Sequence, residues 1–201
     1  MNRLGLLHPS QLDAEAKRLY DAYHEYTTNR YGKAAVAYML DDARLTGPFG
    51  VQLHTPQVGE HVLGLAKALR SLPGLSDTNR EIASIVVGVR YNTRYELAMH
   101  QMLGWKFGLA AASIDTMLAG KKPASFNAEQ SVVFDVAHEL AYGSGTLPQD
   151  LWDRAVEVLG RPGTIALVQY VGFYSYACTI LRGFDVEIPV TDRLGRGHLS
   201  K

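Results

Sequence analysis

The sequence predicts an all-α protein, on three observations. Apolar residues recur at three- and four-residue intervals in one segment after another. Those segments are punctuated by Gly, Pro and N-capping residues. No strand-like alternation runs for more than a few residues, and no fixed-period repeat is present.

Taken in order, residues 12–28 place Leu12, Ala16, Leu19, Tyr20, Tyr23 and Tyr26 at helical spacing, with Ser10 as the expected N-cap. Residues 29–56 are expected to be irregular, with Thr46-Gly47-Pro48-Phe49-Gly50 as loop or turn. Leu53-His54-Thr55-Pro56 leads into a helix striped by Val58, Val62, Leu65 and Leu69, which Pro73-Gly74 ends. Thr78 and Glu81 form a capping-box pattern at the head of the next helix. Residues 82–89 are apolar on nearly every side, which predicts a helix deep in the core. A break at Tyr91-Asn92-Thr93 precedes a helix over 94–107 that stops at Gly108. A short helix over 113–119 closes at Gly120, and Asn127 with Gln130 caps a helix over 128–142. Thr146 and Pro148 begin another, which ends at Gly160. Residues 164–181 form a long apolar segment containing Tyr170, Phe173, Tyr174 and Tyr176.

The chain has 201 residues, enough for one domain with a sizeable core. The expected division is a single helical domain over 1–192 and a mobile basic tail over 193–201 carrying Arg193, Arg196 and Lys201. Hydrophobic residues make up 47% and charged residues 20%, an ordinary globular balance. Lys plus Arg and Asp plus Glu number 20 each, which gives no reason to expect a nucleic acid or an anionic membrane as partner. A single cysteine, Cys178, excludes an internal disulfide and a multi-thiolate metal site. Residues 1–20 lack the apolar stretch of a signal peptide, and no apolar run is read as approaching the roughly 20 residues of a membrane span. The expected location is cytoplasmic.

The helix over 94–107 carries the candidate chemistry. At about 100° per residue, Glu96, His100, Leu103 and Phe107 share one stripe, with Met99 beside it. Residues four apart on a helix have Cβ atoms roughly 5–6 Å apart, so Glu96 and His100 can touch or grip one small ligand. Burial raises a carboxylate pKa and lowers that of an imidazole, whereas mutual attraction does the opposite. Glu96 and His100 are therefore the candidate acid–base pair. Arg90 and Arg182, as fork-shaped permanent cations, are candidates to hold a substrate carboxylate. Arg90 alternatively complements the end of its helix. His54 either completes the pocket or caps the helix that comes after it, and Tyr91, Tyr95 and Tyr174 are pocket walls or packing aromatics. Cys178 reads as a buried structural residue. A metal-dependent alternative uses Glu96 and His100 with His54 or His61 as a third ligand, but no second clustered ligand pair is present.

Tyr95-Glu96-Leu97-Ala98-Met99-His100, followed by Gly108-Leu109, resembles the signature of the carboxymuconolactone decarboxylase and alkylhydroperoxidase D superfamily. The preceding Arg80-Glu81 and its hydrophobic run look like that family's matching helix. Gly47-Pro48-Phe49 with Leu53-His54-Thr55-Pro56 resembles the first segment of the longer decarboxylase-like members. Gly172-Phe173-Tyr174, Leu181-Arg182-Gly183-Phe184 and Glu187-Ile188-Pro189 resemble their closing helix and tail. The resemblance implies an all-helical, homo-oligomeric fold and cofactor-free decarboxylation of a small organic acid or carboxylated lactone near the Glu/His helix. Phe49, His54, Arg90, Tyr91, Tyr174 and Arg182 are the expected substrate contacts, and no metal is expected. The family's peroxidase branch relies on a Cys-x-x-Cys pair before the histidine, and the matching positions here hold no cysteine, so thiol peroxidase chemistry is not expected. Leu97, Tyr91 and Arg182 depart from the residues common at those places. A small-molecule-binding oligomer without turnover is the alternative reading.

Overall fold

A computed structural model describes residues 2–31 and 38–188. Among them lie eight α-helices: α1 (Ala14–Tyr31), α2 (Gly47–Gln52), α3 (Pro56–Ser71), α4 (Asp77–Tyr91), α5 (Arg94–Lys106), α6 (Ala111–Leu118), α7 (Ala128–Tyr142) and α8 (Gln149–Gly183). A single 3-10 turn, Pro9–Gln11, precedes them. Extended pairing among the described residues is limited to one isolated bridge between Met39 and Leu45. The all-α expectation holds. The proposed tail over 193–201 lies outside the described residues.

Two compact units divide the chain: of the described residues, 2–31, 38–67 and 180–188 fall in the first and 68–179 in the second. In the first, Tyr20 donates its hydroxyl to the Ala43 carbonyl at 2.8 Å, and Tyr23 donates to Gly59 at 3.2 Å. Gly59 lets α3 lie against α1, since a Cβ there would meet Leu19 Cδ2 at 2.3 Å. Two local expectations fail in this unit. Ser10 is not the cap of α1: Asp13 Oδ1 accepts from the amides of Glu15 and Ala16 at 3.0 and 2.8 Å. The Gly-Pro-Phe segment is not a loop but the body of α2, whose proline sits in the first turn, where its missing N–H costs nothing. At six residues α2 is too short for periodicity to mark it.

In the second unit α4 runs through the core. Ile82, Ala83, Ile85, Val86 and Val87 are all buried, packed with Val132, Val133, Val136 and Ala137 of α7 and with Ala166, Leu167, Tyr170 and Val171 of α8. Burying a side chain of Val or Ile size contributes about 1.5–3 kcal/mol each, so this contact dominates the unit. Asn127 and Gln130 form the expected capping box on α7. Gly160, with φ 67°, breaks α8 where the sequence placed a helix end, and Pro162 falls in the first turn of the helical segment beyond it. The resulting helix is longer and more apolar than the sequence pattern led us to expect. By length and composition alone it would cross a membrane, yet half of its most apolar stretch is buried inside the protein, as in a core helix.

The turn between α3 and α4 is held by one buried cation. Arg80 donates Nε to the Leu75 carbonyl at 3.1 Å, Nη1 to Leu69 at 3.0 Å and Nη2 to Leu72 at 2.9 Å. Its guanidinium carbon also lies 5.4 Å from the centre of the Tyr170 ring. Gly74 (φ 81°) faces Gly163 at backbone distance: a Cβ on Gly163 would sit 2.4 Å from the Gly74 oxygen. The neighbour is backbone and cannot swing aside. Gly163→Ala is therefore expected to destabilise the protein by roughly 1–3 kcal/mol, read as a lowered urea midpoint at unchanged m-value.

Candidate active site

Helices α4 and α5 are joined by two residues. Asn92 adopts the left-handed conformation (φ 50°, ψ 47°) and closes α4, and Thr93 opens α5. Asn tolerates that conformation better than most residues. The helices lie close where α4 is small: a Cβ on Gly88 would meet Leu97 Cδ2 at 3.0 Å. This proximity brings a residue of α4 to the Glu96–His100 face.

That residue is Glu81. Its sequence pattern with Thr78 is that of a capping box, and the structure corrects this. Ser76 is the N-cap of α4, its side chain accepting from the Asn79 amide at 3.2 Å, and Thr78 donates its hydroxyl to the Phe107 carbonyl at 2.6 Å. Glu81 is thereby able to turn inward. Its Oε2 lies 2.5 Å from His100 Nδ1, while Glu96 Oε2 lies 2.9 Å from His100 Nε2. The imidazole is thus held on both nitrogens by carboxylates. The three side chains are 0%, 5% and 6% exposed for Glu81, Glu96 and His100. Tyr174 packs perpendicular to the imidazole, with ring centres 4.8 Å apart and planes at 84°. Tyr170 donates its hydroxyl to that of Tyr174 at 3.4 Å.

Electrostatics derive from this burial. Among the described residues the buried Asp, Glu, His, Lys and Arg side chains are Arg80, Glu81, Glu96 and His100, all on α4 and α5. With His100 protonated they sum to zero, two cations against two anions, which is how a core tolerates ions. Burial alone pushes the His100 imidazole down. The charge and hydrogen bond of Glu81, then those of Glu96, outweigh it and hold the ring at about 9. At neutral pH His100 is therefore the imidazolium, held on one nitrogen by Glu81 and on the other by Glu96. Glu81 Oε1 is fully covered and has no hydrogen-bond partner among the described residues.

Several of the other candidate residues make contacts of their own. Arg90 donates Nε to the Ala141 carbonyl at 3.0 Å and lies 5.3 Å from the centre of the Tyr142 ring. Tyr91 packs against the core of the same unit. Phe49, on α2, meets Tyr23 edge-on with ring centres 5.2 Å apart, and His54 Nε2 lies 3.2 Å from the Gly5 carbonyl. Arg182 is exposed in the last turn of α8. Of the sequence candidates, Glu96, His100 and Tyr174 come together. Glu81 was missed, although a lone carboxylate at the head of an otherwise apolar helix demands a partner. Cys178 is buried, as expected. Among the described residues no group of three or more His, Cys, Asp or Glu is arranged to hold a metal ion.

Fold and site together define an all-helical protein with a buried carboxylate–imidazole–carboxylate cluster. The chain has the alkylhydroperoxidase D fold, as its likeness to solved structures shows. An uncharacterized peroxidase-related protein from Ralstonia eutropha, described as an alkylhydroperoxidase AhpD core, superposes with TM-score 0.78 at 12% identity, covering 99% of this chain and 97% of that one. A debrominase in complex with 2,3,4-tribromopyrrole gives TM-score 0.68 at 10% identity over 88% of each chain. A protein of unknown function from Agrobacterium tumefaciens gives TM-score 0.64 at 15% identity, covering 70% of this chain and 97% of that one. No protein-family model matches the sequence. No curated protein matches it either.

The raised His100 value fixes the sign of a pH effect. The ring titrates near 6.5 in the unfolded chain and near 9 in the folded one. Its protonated form therefore stabilises the fold fully below about pH 6.5, and that contribution is lost as pH rises through 9. The loss is on the order of 3 kcal/mol. It is expected as a falling urea midpoint between these limits in the wild-type chain, and its absence in His100→Gln. A wild-type midpoint that stays flat over this window contradicts the buried imidazolium.

Proposed function

We propose that the chain is a cofactor-free acid–base enzyme of the decarboxylase type, acting on a small β-keto acid or carboxylated lactone. The observation that supports this reading is the imidazolium of His100 held between Glu81 and Glu96 in a covered site. Loss of CO₂ from such an acid leaves the electron pair of the broken C–C bond delocalised into the adjacent carbonyl as an enolate. The enolate carbon then needs one proton. His100 supplies it from Nε2 through Glu96, and a proton from water restores the imidazolium, so one proton is consumed for each CO₂ released. Glu81 keeps hold of Nδ1 throughout and fixes the orientation of the ring. A covered site strengthens these interactions, because fixed charges act across a lower dielectric than in water.

Thiol–disulfide turnover within one chain needs two thiols, and this sequence has one cysteine, which is buried. The acid–base reading asks for nothing beyond the residues at hand. As part of the same proposal, the enzyme works as a cytoplasmic homo-oligomer with a small organic acid or lactone as its partner, without nucleic acid or membrane.

The decisive assay is CO₂ release from β-keto acids and carboxylated lactones. A positioned acid of this kind is worth roughly 10²–10⁴-fold in rate. His100→Gln, which keeps hydrogen-bonding capacity without a titrating proton, is expected to lose that factor while retaining the helical circular-dichroism spectrum. Full activity in His100→Gln refutes the assignment, and binding of the acid without CO₂ release by the wild type assigns a binding role instead. Glu81→Gln removes the larger of the two carboxylate effects on His100. Its rate profile is expected to lose activity at a lower pH on the alkaline side than the wild-type profile does.

A further inference from the structure

We propose that the start of α5 is a carboxylate-binding subsite, in which the Thr93 hydroxyl and the main-chain amides of Arg94 and Glu96 seat the acidic group of the substrate. This deepens, and rests on, the acid–base reading of the neighbouring Glu96–His100 pair. Thr93 occupies the N-cap position of a 13-residue helix, yet its side chain makes no capping hydrogen bond. The residue is 3% exposed. Its Oγ1 is fully covered and has no hydrogen-bond partner among the described residues. A threonine at an N-cap ordinarily gives its oxygen to the second or third amide of the helix. Ser76 on α4 and Asn127 on α7 do so in this protein. A buried hydroxyl left without a partner is destabilising, and an arriving acceptor removes that cost.

The charges around Thr93 point to an anion. The first amides of a helix carry partial positive charge, and α5 adds the exposed cation Arg94 at that end, where a basic residue is unfavourable unless an anion compensates it. Glu96, the acid of the first turn, does not supply that compensation, because its Oε2 is turned to His100 Nε2 at 2.9 Å. Nor do the last carbonyls of α4: Gly88 accepts from the Thr93 amide and Val89 from the Asn92 amide, each at 3.1 Å. The group that fits a hydroxyl donor beside two amides is an oxyanion with several lone pairs, and a carboxylate has that form. Arg90, an alternative holder, is engaged at Ala141 and Tyr142. Asn92 and Arg94, on either side of Thr93, are exposed, so the subsite adjoins solvent. A carboxylate seated here lies at the head of the helix that carries the proton-bearing pair, which orients the substrate toward it.

The test uses malonate, a dicarboxylate, against its dimethyl ester. Calorimetric titration compares wild type, Thr93→Val and Thr93→Ser, and amide NMR tracks the wild-type chain. Malonate is expected to bind wild type and Thr93→Ser alike and Thr93→Val roughly 10- to 100-fold more weakly. The ester is expected not to distinguish the three, and the Arg94 and Glu96 amide resonances are expected to move with malonate. Equal malonate affinity in wild type and Thr93→Val, no malonate binding by the wild type, or unmoved Arg94 and Glu96 amides overturns the subsite. Malonate binding is read without turnover. A chain that binds it through Thr93 but releases no CO₂ from any acid keeps the subsite and loses only the decarboxylase reading.

Discussion

An ion inside a helical core has to be matched by an opposite ion and by hydrogen bonds, and most of the helical unit over residues 68–179 is arranged around that requirement. Four charged side chains are withdrawn from water along α4 and α5, and each has a defined outlet. Arg80 gives three donors to three carbonyls at the end of α3 and in the turn beyond it. Glu81 and Glu96 close on the two nitrogens of His100. Removing His100 would leave two buried carboxylates without the cation between them, the costly case at roughly 3–5 kcal/mol. The same arrangement holds a proton near neutral pH in a covered place, which is what an acid–base catalyst requires. The contacts that stabilise this unit are the same ones that the proposed chemistry would use.

Legibility in the sequence tracked the range of the interaction. The helix of α5 and its Glu96–His100 pair were readable because residues four apart on a helix must share a face. The depth of α4 was readable because residues 82–89 offer little polar surface to water. Thr78-x-x-Glu81 and Asn127-x-x-Gln130 match the same capping pattern, and only the second is a cap. The difference lies in burial. The first turn of α7 is solvated, with Asn127 and Glu129 exposed, whereas Asn79, Arg80 and Glu81 are all covered. A glutamate in that setting is drawn to a distant imidazole instead of a nearby amide. That partner lies 19 residues away and only the fold brings it in. The α2 segment shows a different limit, since Gly47-Pro48 signals a turn and also suits the first turn of a short helix.

The likeness to solved structures fixes the architecture and leaves the chemistry to the site, as expected when one fold hosts several activities. A debrominase and a peroxidase-related protein share this scaffold at 10–12% identity. In this chain the chemistry on offer lies in the composition of the α4–α5 pair. A carboxylate stands one turn before the histidine, a second reaches it from α4, and an uncapped threonine lies at the head of the helix.

Arg80 and Glu81 are successive residues, so their side chains leave α4 about 100° apart. One grips the end of α3 and the Tyr170 ring, and the other grips the imidazole on α5. A helix tethered in two directions at one level cannot turn about its own axis. The aim of the Glu81 carboxylate is thus inherited in part from a guanidinium that stands outside the imidazole clamp.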